Sequence, residues 1–230
     1  MEIESRTTIH AGVNFVIAPF VFDRKSCARF QELISEIDPN LGQFSYGERE
    51  FQATRQRPTP LAIQVIASGP QVGQLVIIAT QHVPSRDTFT AEADYVAQAF
   101  TQVWGTPKQI LSCDATMRDL YETSSEHALI ELWEKRLHQT PEDLQVFGRP
   151  VLGGGMRFVM PPPSSAPTDP VIELKIESLL QDARKLFFEA QFIWQRPRAP
   201  GEALEPSARL QQVDDFLKTK VVKFVMEGRA

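Results

Sequence analysis

The sequence predicts an α+β protein made of two successive halves, 1–105 and 106–230, each running strand, helix, up to four strands, helix. Three observations carry this. Period-two alternation of apolar and polar residues recurs in both halves, the signature of half-buried strands. Apolar stripes at helical spacing follow the first strand of each half and close it again. Gly and Pro clusters separate the runs. A β-α-β(4)-α unit repeated in this way predicts antiparallel sheets with the helices packed on one face. The two halves are related by element order and not by residue identity, and they read as one compact pseudo-repeat.

Taken in order, "TTIHAGVNFVIAPF" is a strand with Ile9, Ala11, Val13, Phe15 and Ile17 on one face and Thr8, His10, Gly12 and Asn14 on the other. "DRKSCARFQELISEID" is a helix capped by Asp23 and striped by Cys27, Phe30, Leu33, Ile34 and Ile37. "GQFSYGE", "REFQATRQ", "PLAIQVIAS" and "QLVIIATQHV" are strands, the last two joined by the turn "GPQVG". "TFTAEADYVAQAFTQVWG" is a helix with Tyr95, Val96, Ala99, Phe100 and Val103 on one face, ended by Gly105 and Pro107.

The second half opens on "KQILSCDATMRDLYE", with Leu111, Cys113, Ala115 and Met117 facing one way and Ser112, Asp114, Thr116 and Arg118 the other. "SSEHALIELWEKRLHQ" is a helix capped by Ser124 or Ser125, with Leu129, Ile130, Trp133 and Leu137 buried. "LQVFG", "GGMRFVM", "PVIELKIESL" and "KLFFEAQFIWQ" supply four strands, and the last helix is striped by Leu210, Val213, Phe216, Leu217, Val221, Phe224 and Val225. Two Pro-rich segments, 161–170 and 196–206, are exposed loops.

"VLGGGMRFVMPPP" most resembles a phosphate loop, but no Lys-Ser/Thr and no helix follow its glycines. Alternation and prolines follow instead. The glycines therefore predict a bulge or a close backbone approach, with Met156 and Phe158 on one face and Arg157 on the other. The four histidines (His10, His82, His127 and His138) show no metal-ligand spacing. His127 and His138 are eleven residues apart, about three turns along a helix, and cannot share an ion. No nucleophile elbow occurs, and Cys27 and Cys113 fall on apolar faces where a thiol packs as a small hydrophobe. The sequence singles out no catalytic residue, no metal site and no cofactor.

Composition narrows the function further. A net charge of −5 argues against a nucleic-acid footprint, and Arg49, Arg55, Arg57, Arg196 and Arg198, interleaved with acids and prolines, read as ordinary surface. The N-terminus lacks an apolar signal core and no apolar run is long enough to cross a bilayer. With two cysteines, the expected compartment is a reducing cytoplasm.

What remains is the polar face of the predicted sheet. His10, Asn14, Asp114 and Arg118 lie on it, and the final hairpin adds Glu173, Lys175, Glu177, Glu189 and Gln191, opposite Ile172, Leu174, Ile176, Phe188 and Phe192. With helices on the apolar side, this mixed-charge face is open to solvent or to a partner.

The duplicated β-α-β(4)-α order resembles the fold of the TATA-box-binding protein, a helix-grip-like arrangement of a curved sheet with helices on its convex side. The resemblance covers nearly the whole chain but is topological, and the basic, aromatic DNA face is missing. A second resemblance rests on the opening strand and helix and on "VIELKIESLLQDARKLFFEAQFIWQ" before the long C-terminal helix. These are similar to a sporadically distributed bacterial family of unknown function, which implies a bacterial cytoplasmic protein. The resulting expectation is a non-catalytic binding or interaction protein that uses the open sheet face or a groove beside the Pro-rich loops. Its partner is a protein or a small molecule, and edge strands allow homo-oligomers. The alternative is an enzyme or small-molecule binder with a pocket between sheet and helices, for which His10, Asp114 and Glu173 are the first suspects.

Overall fold

The chain runs β1 (Glu2–Ala18), α1 (Arg24–Ile37), β2 (Gln43–Tyr46), β3 (Glu50–Arg55), β4 (Leu61–Gly69), β5 (Val72–Thr80), α2 (Arg86–Trp104), β6 (Gln109–Glu122) and α3 (Ala128–Ile130). It continues with β7 (Gly155–Met160), β8 (Val171–Ser178), β9 (Lys185–Trp194), α4 (Pro206–Phe216) and α5 (Val222–Met226). This computed structural model describes residues 1–81, 83, 86–195 and 200–227. His82, Arg196, Arg198 and the start of the second Pro-rich loop lie outside the described residues. The expected α+β class is observed: the nine strands among the described residues form one antiparallel sheet in the order β2-β3-β4-β5-β1-β6-β9-β8-β7.

Reading outward from the central β1–β6 seam, each side places its remaining strands in reverse chain order. The seam is long. It joins Glu2–Ala18 to Gln109–Glu122, and its register slips three times, between Glu2 and Thr7, between Thr8 and His10, and between Val16 and Ile17. The first slip sets five steps along β1 against two along β6, and each of the other two inserts one residue, which reverses which face the flanking side chains take. Thr8 pairs with Asp119 and His10 with Arg118, so Thr8 turns to the opposite face from His10 and not, as alternation predicts, to the same one. Ile17 pairs with Ile110 and Val16 with Ser112, so Ile110 points into the core in place of Leu111.

Alternate residues of every central strand enter one core together with the helices: Ala11, Val13 and Phe15 of β1, Ile63 and Val65 of β4, Leu75 and Ile77 of β5, Cys113, Ala115 and Met117 of β6, and Phe188 and Ala190 of β9. Under α1 and α2, Phe30 packs edge-on to Phe51 and Phe100, with ring centroids at 5.5 and 6.2 Å, and Trp104 stacks on Phe100 at 4.7 Å. Full burial of each such ring is worth about 1.5–3 kcal/mol. Asp23 caps α1 as expected, accepting from the Ser26 N–H at 2.8 Å. Ile37, Tyr95 and Ile130, expected in buried helix stripes, are exposed, and in place of Ile130 the second-half helix buries Ala128 and Leu132.

Three elements depart from the sequence reading. "LQVFG" lies in a 3-10 helix, Pro141–Phe147, because Thr140 and Asp143 cap each other across a proline-led first turn. The second half therefore contributes three strands after its helix, not four. The predicted helix from Ser124 is short. His127 is its N-cap, its Nδ1 accepting from the Leu129 N–H at 3.0 Å, and a π turn over Glu131–Arg136 completes it. The C-terminal helix keeps its apolar stripe but passes through a π turn, Leu217–Val221, between α4 and α5. The glycine triplet behaves as expected. A Cβ on Gly155 would lie 2.2 Å from the Ile176 carbonyl oxygen, so only glycine lets β7 approach β8 there. Phe158 faces the core side, edge-on to Phe224 at 5.7 Å.

Arg55 corrects the reading of the basic residues as ordinary surface. It is buried, its Nε donates to the Thr59 carbonyl at 2.9 Å, and its guanidinium bridges Asp38 after α1 and Glu92 of α2. Among the described residues no helix is long and apolar enough to cross a membrane.

Candidate functional site

Two polar clusters are built on β1 and β6, one on each face of the sheet. The first lies under α4. Asp119 is fully buried and accepts from Arg6 Nε at 2.9 Å and from Thr8 Oγ1 at 2.7 Å. The same guanidinium reaches Asp214 of α4 at 2.7 Å, and Lys218 holds the other oxygen of Asp214 at 2.8 Å. Burial favours the neutral carboxyl of both acids. Lys218 and Arg6 together outweigh it at Asp214 and hold that group below the usual range. Asp119 shares only Arg6 and is pushed up. The cluster joins the start of β1, the end of β6 and α4 at one point, and it is a packing device.

The second cluster faces away from the helices. Gly12, at the middle of β1, pairs with Ile78 on one side and Thr116 on the other. Its missing side chain leaves a depression of about 220 Å3 lined by His10, Gly12, Asn14, Val76, Ile78, Asp114 and Thr116. Asn14 Nδ2 donates to Asp114 Oδ1 at 2.9 Å, and the Gln191 side chain also hydrogen-bonds that carboxylate. Asn14 Oδ1 is shielded from solvent with no hydrogen-bond partner. Burial raises the Asp114 carboxyl above its ordinary range against these two amide bonds. Burial, and then the adjacent Arg118 charge, lowers His10 to about 4, so its ring is neutral at pH 7.

No family model and no curated protein matches this chain. The site is therefore read from its own geometry.

His10, Asn14, Asp114, Arg118, Glu173, Lys175, Glu177, Glu189 and Gln191 lie on the polar face as expected, but not at one point, and Thr8 has left it for the helix side. His10, Asn14 and Asp114 share the depression. Arg118, Glu189 and Lys175 continue from His10 as a row across β6, β9 and β8, with Arg157 of β7 at its end. Glu189 accepts from both Arg118 and Lys175, and these two cations outweigh burial and hold its carboxyl below the usual range. Glu173 is paired to Arg157 at 2.6 Å, and Glu177 stands on the same face nearer the β8–β9 end. A pocket between sheet and helices cannot contain His10, Asp114 and Glu173, because all three point away from the helices. The sequence reading did not single out Gly12, although a glycine flanked at i±2 by His10 and Asn14 marks a gap on that face.

A separate groove of about 430 Å3 lies beside the first Pro-rich loop. Met160, Ile172, Phe192 and Phe216 form its apolar part, and Asp215 and Lys220 stand at its rim. Cys27 and Cys113 are buried thiols, and burial pushes Cys27 up to about 11, which leaves it unreactive at neutral pH.

Proposed function

We propose that this chain is a non-catalytic bacterial binding protein that presents the helix-free face of its sheet to a protein partner in the cytoplasm. One observation carries the reading. The helices gather on one side, and the other side of the sheet displays hydrogen-bonding and mixed-charge side chains around a preformed depression. A polar, rigid strand surface suits recognition, because the strands fix each side chain before the partner arrives. The outward strand order on both sides of the β1–β6 seam supports treating 1–105 and 106–230 as two versions of one unit, in the manner of the TATA-box-binding protein fold. The bacterial setting rests on the likeness of the first strand and last hairpin to the sporadically distributed family.

A photo-crosslinking benzophenone side chain placed at Gln64, Lys175 or Gln191 on the open face, in the native cell, should give one discrete adduct. The same group at Glu32, Gln98 or Lys223 on the helix side should give none. Adducts from the helix side alone would overturn the proposal. The groove beside the Pro-rich loop favours a second reading, a small-molecule binder, and adducts restricted to Thr219 in that groove would support it.

A further inference from the structure

We propose that the slot over Gly12 receives an arginine side chain of the partner, whose guanidinium pairs with Asp114. This inference rests on the reading of the open face as the recognition surface, and it assigns the chemistry that the partner brings. The slot exists because Gly12 contributes nothing above the backbone while its neighbours do. Val76 and Ile78 of β5 form an apolar wall, Asp114 and Thr116 of β6 form a polar one, and His10 and Asn14 close the ends.

The charge pattern decides the occupant. Along β6, β9 and β8 the carboxylates around the slot are matched internally: Glu189 to Arg118 and Lys175, Glu173 to Arg157, and Glu122 to Lys185 at 3.7 Å, whereas Glu177 stands apart, nearer the β8–β9 end. Asp114 is held by two amides, and among the described residues no cation stands within ion-pair distance of it. Arg118 is already committed to Glu189. A half-buried carboxylate held by neutral donors lacks a counter-charge, and an incoming cation gains the full charge-assisted interaction without breaking an existing pair. The neutral His10 ring and the Thr116 hydroxyl add acceptor capacity. A guanidinium fits better than an ammonium, because its flat, weakly hydrated faces pack on Val76 and Ile78 while its edge meets the carboxylate. The net charge of −5 draws a basic partner in the same direction.

The test is a 15N NMR titration of the full chain with three probes: acetyl-Gly-Arg-Gly amide, the lysine peptide, and the citrulline peptide, which keeps the shape of arginine without its charge. The arginine peptide should saturate shifts of the Asn14 and Gln191 side-chain amides and the Thr116 backbone amide, with a dissociation constant on the order of 1 mM. Citrulline should bind at least about tenfold more weakly, and lysine should fall between them. Asp114→Asn should weaken the arginine peptide by at least about tenfold. Gly12→Ala should also weaken it, since a Cβ there lies 3.2 Å from Ile78 Cγ1 and 3.3 Å from His10 Nε2.

Equal binding of citrulline, or binding unaffected by Asp114→Asn, would overturn the assignment, as would the absence of any shift in the slot. Shifts elsewhere on the open face would overturn the slot while leaving the face as the recognition surface. Failure of the face itself is read separately, from crosslinks that form on the helix side.

Discussion

β1 and β6 carry a polar cluster on each face, and the two are built to opposite rules. Under α4, Arg6, Thr8, Asp119, Asp214 and Lys218 answer one another charge for charge at 2.7–2.9 Å. On the open face Asp114 is held by amides alone, and a depression stands beside it. Water explains the difference. A buried charge without its partner costs several kcal/mol, so on the helix side each of these four charges has an opposite charge beside it. On the open face Asp114 is only half-buried, and solvent meets part of the shortfall. The contrast separates a cluster that holds the molecule together from one free to bind.

The largest effect should come from Asp119→Ala, which takes the acceptor from Thr8, leaves Arg6 and Lys218 to share Asp214 alone, and should lower unfolding free energy by about 3–5 kcal/mol in urea titrations. A loss below about 1 kcal/mol would erase the contrast. Thr8→Val removes a single hydroxyl from the same carboxylate and should cost about 1.5–3 kcal/mol by the same measurement.

The open face should respond to pH instead. His10 titrates at about 4 in the folded chain and near 6.5 unfolded. Between those values the unfolded chain binds a proton that the folded chain refuses. Its contribution is therefore present above about pH 6.5 and lost as pH falls toward about 4. His10→Gln should remove about 1–2 kcal/mol of the stability difference between about pH 7.5 and about pH 4.5, a figure reduced for the partial exposure of the ring. An unchanged pH slope would mean that His10 is not shielded. The smallest effect should be that of Arg118→Ala, below about 1 kcal/mol because its guanidinium is 42% exposed. The same substitution should raise the His10 midpoint seen by NMR, since a nearby positive charge is removed.

Period-two alternation made β1 and β6 legible and placed His10, Asn14, Asp114 and Arg118 correctly on one face. It could not reveal the register slips, because a slip adds one residue without changing residue type. Thr8 therefore takes the face opposite to the one that alternation predicts. Part of the buried cluster was nonetheless readable. Asp119 continues the inward series Cys113, Ala115, Met117 and precedes Tyr121, and Asp214 sits between Val213 and Leu217 on the stripe of the last helix. Charged residues at inward positions call for partners. The 3-10 helix also had a signal in "TPED", a cap with proline at the first turn, which the apolar "LQVFG" outweighed. The depression depended on three neighbouring strands, and no single segment of sequence contains it.

The place of β1 at the centre of the sheet also has a temporal side. β1 is synthesised before both of its neighbours, β5 and β6, and its register partners begin at Gly73 and Gln109. At roughly 5–20 residues per second, the ribosome needs about 3–12 s after β1 to complete β5. Throughout that interval Val13, Phe15 and Ile17 have no sheet to join. β2 through β5, by contrast, are linked by short connections and can zip locally as they emerge. The strand that organises the finished molecule thus waits, during synthesis, for the partners that will cover it.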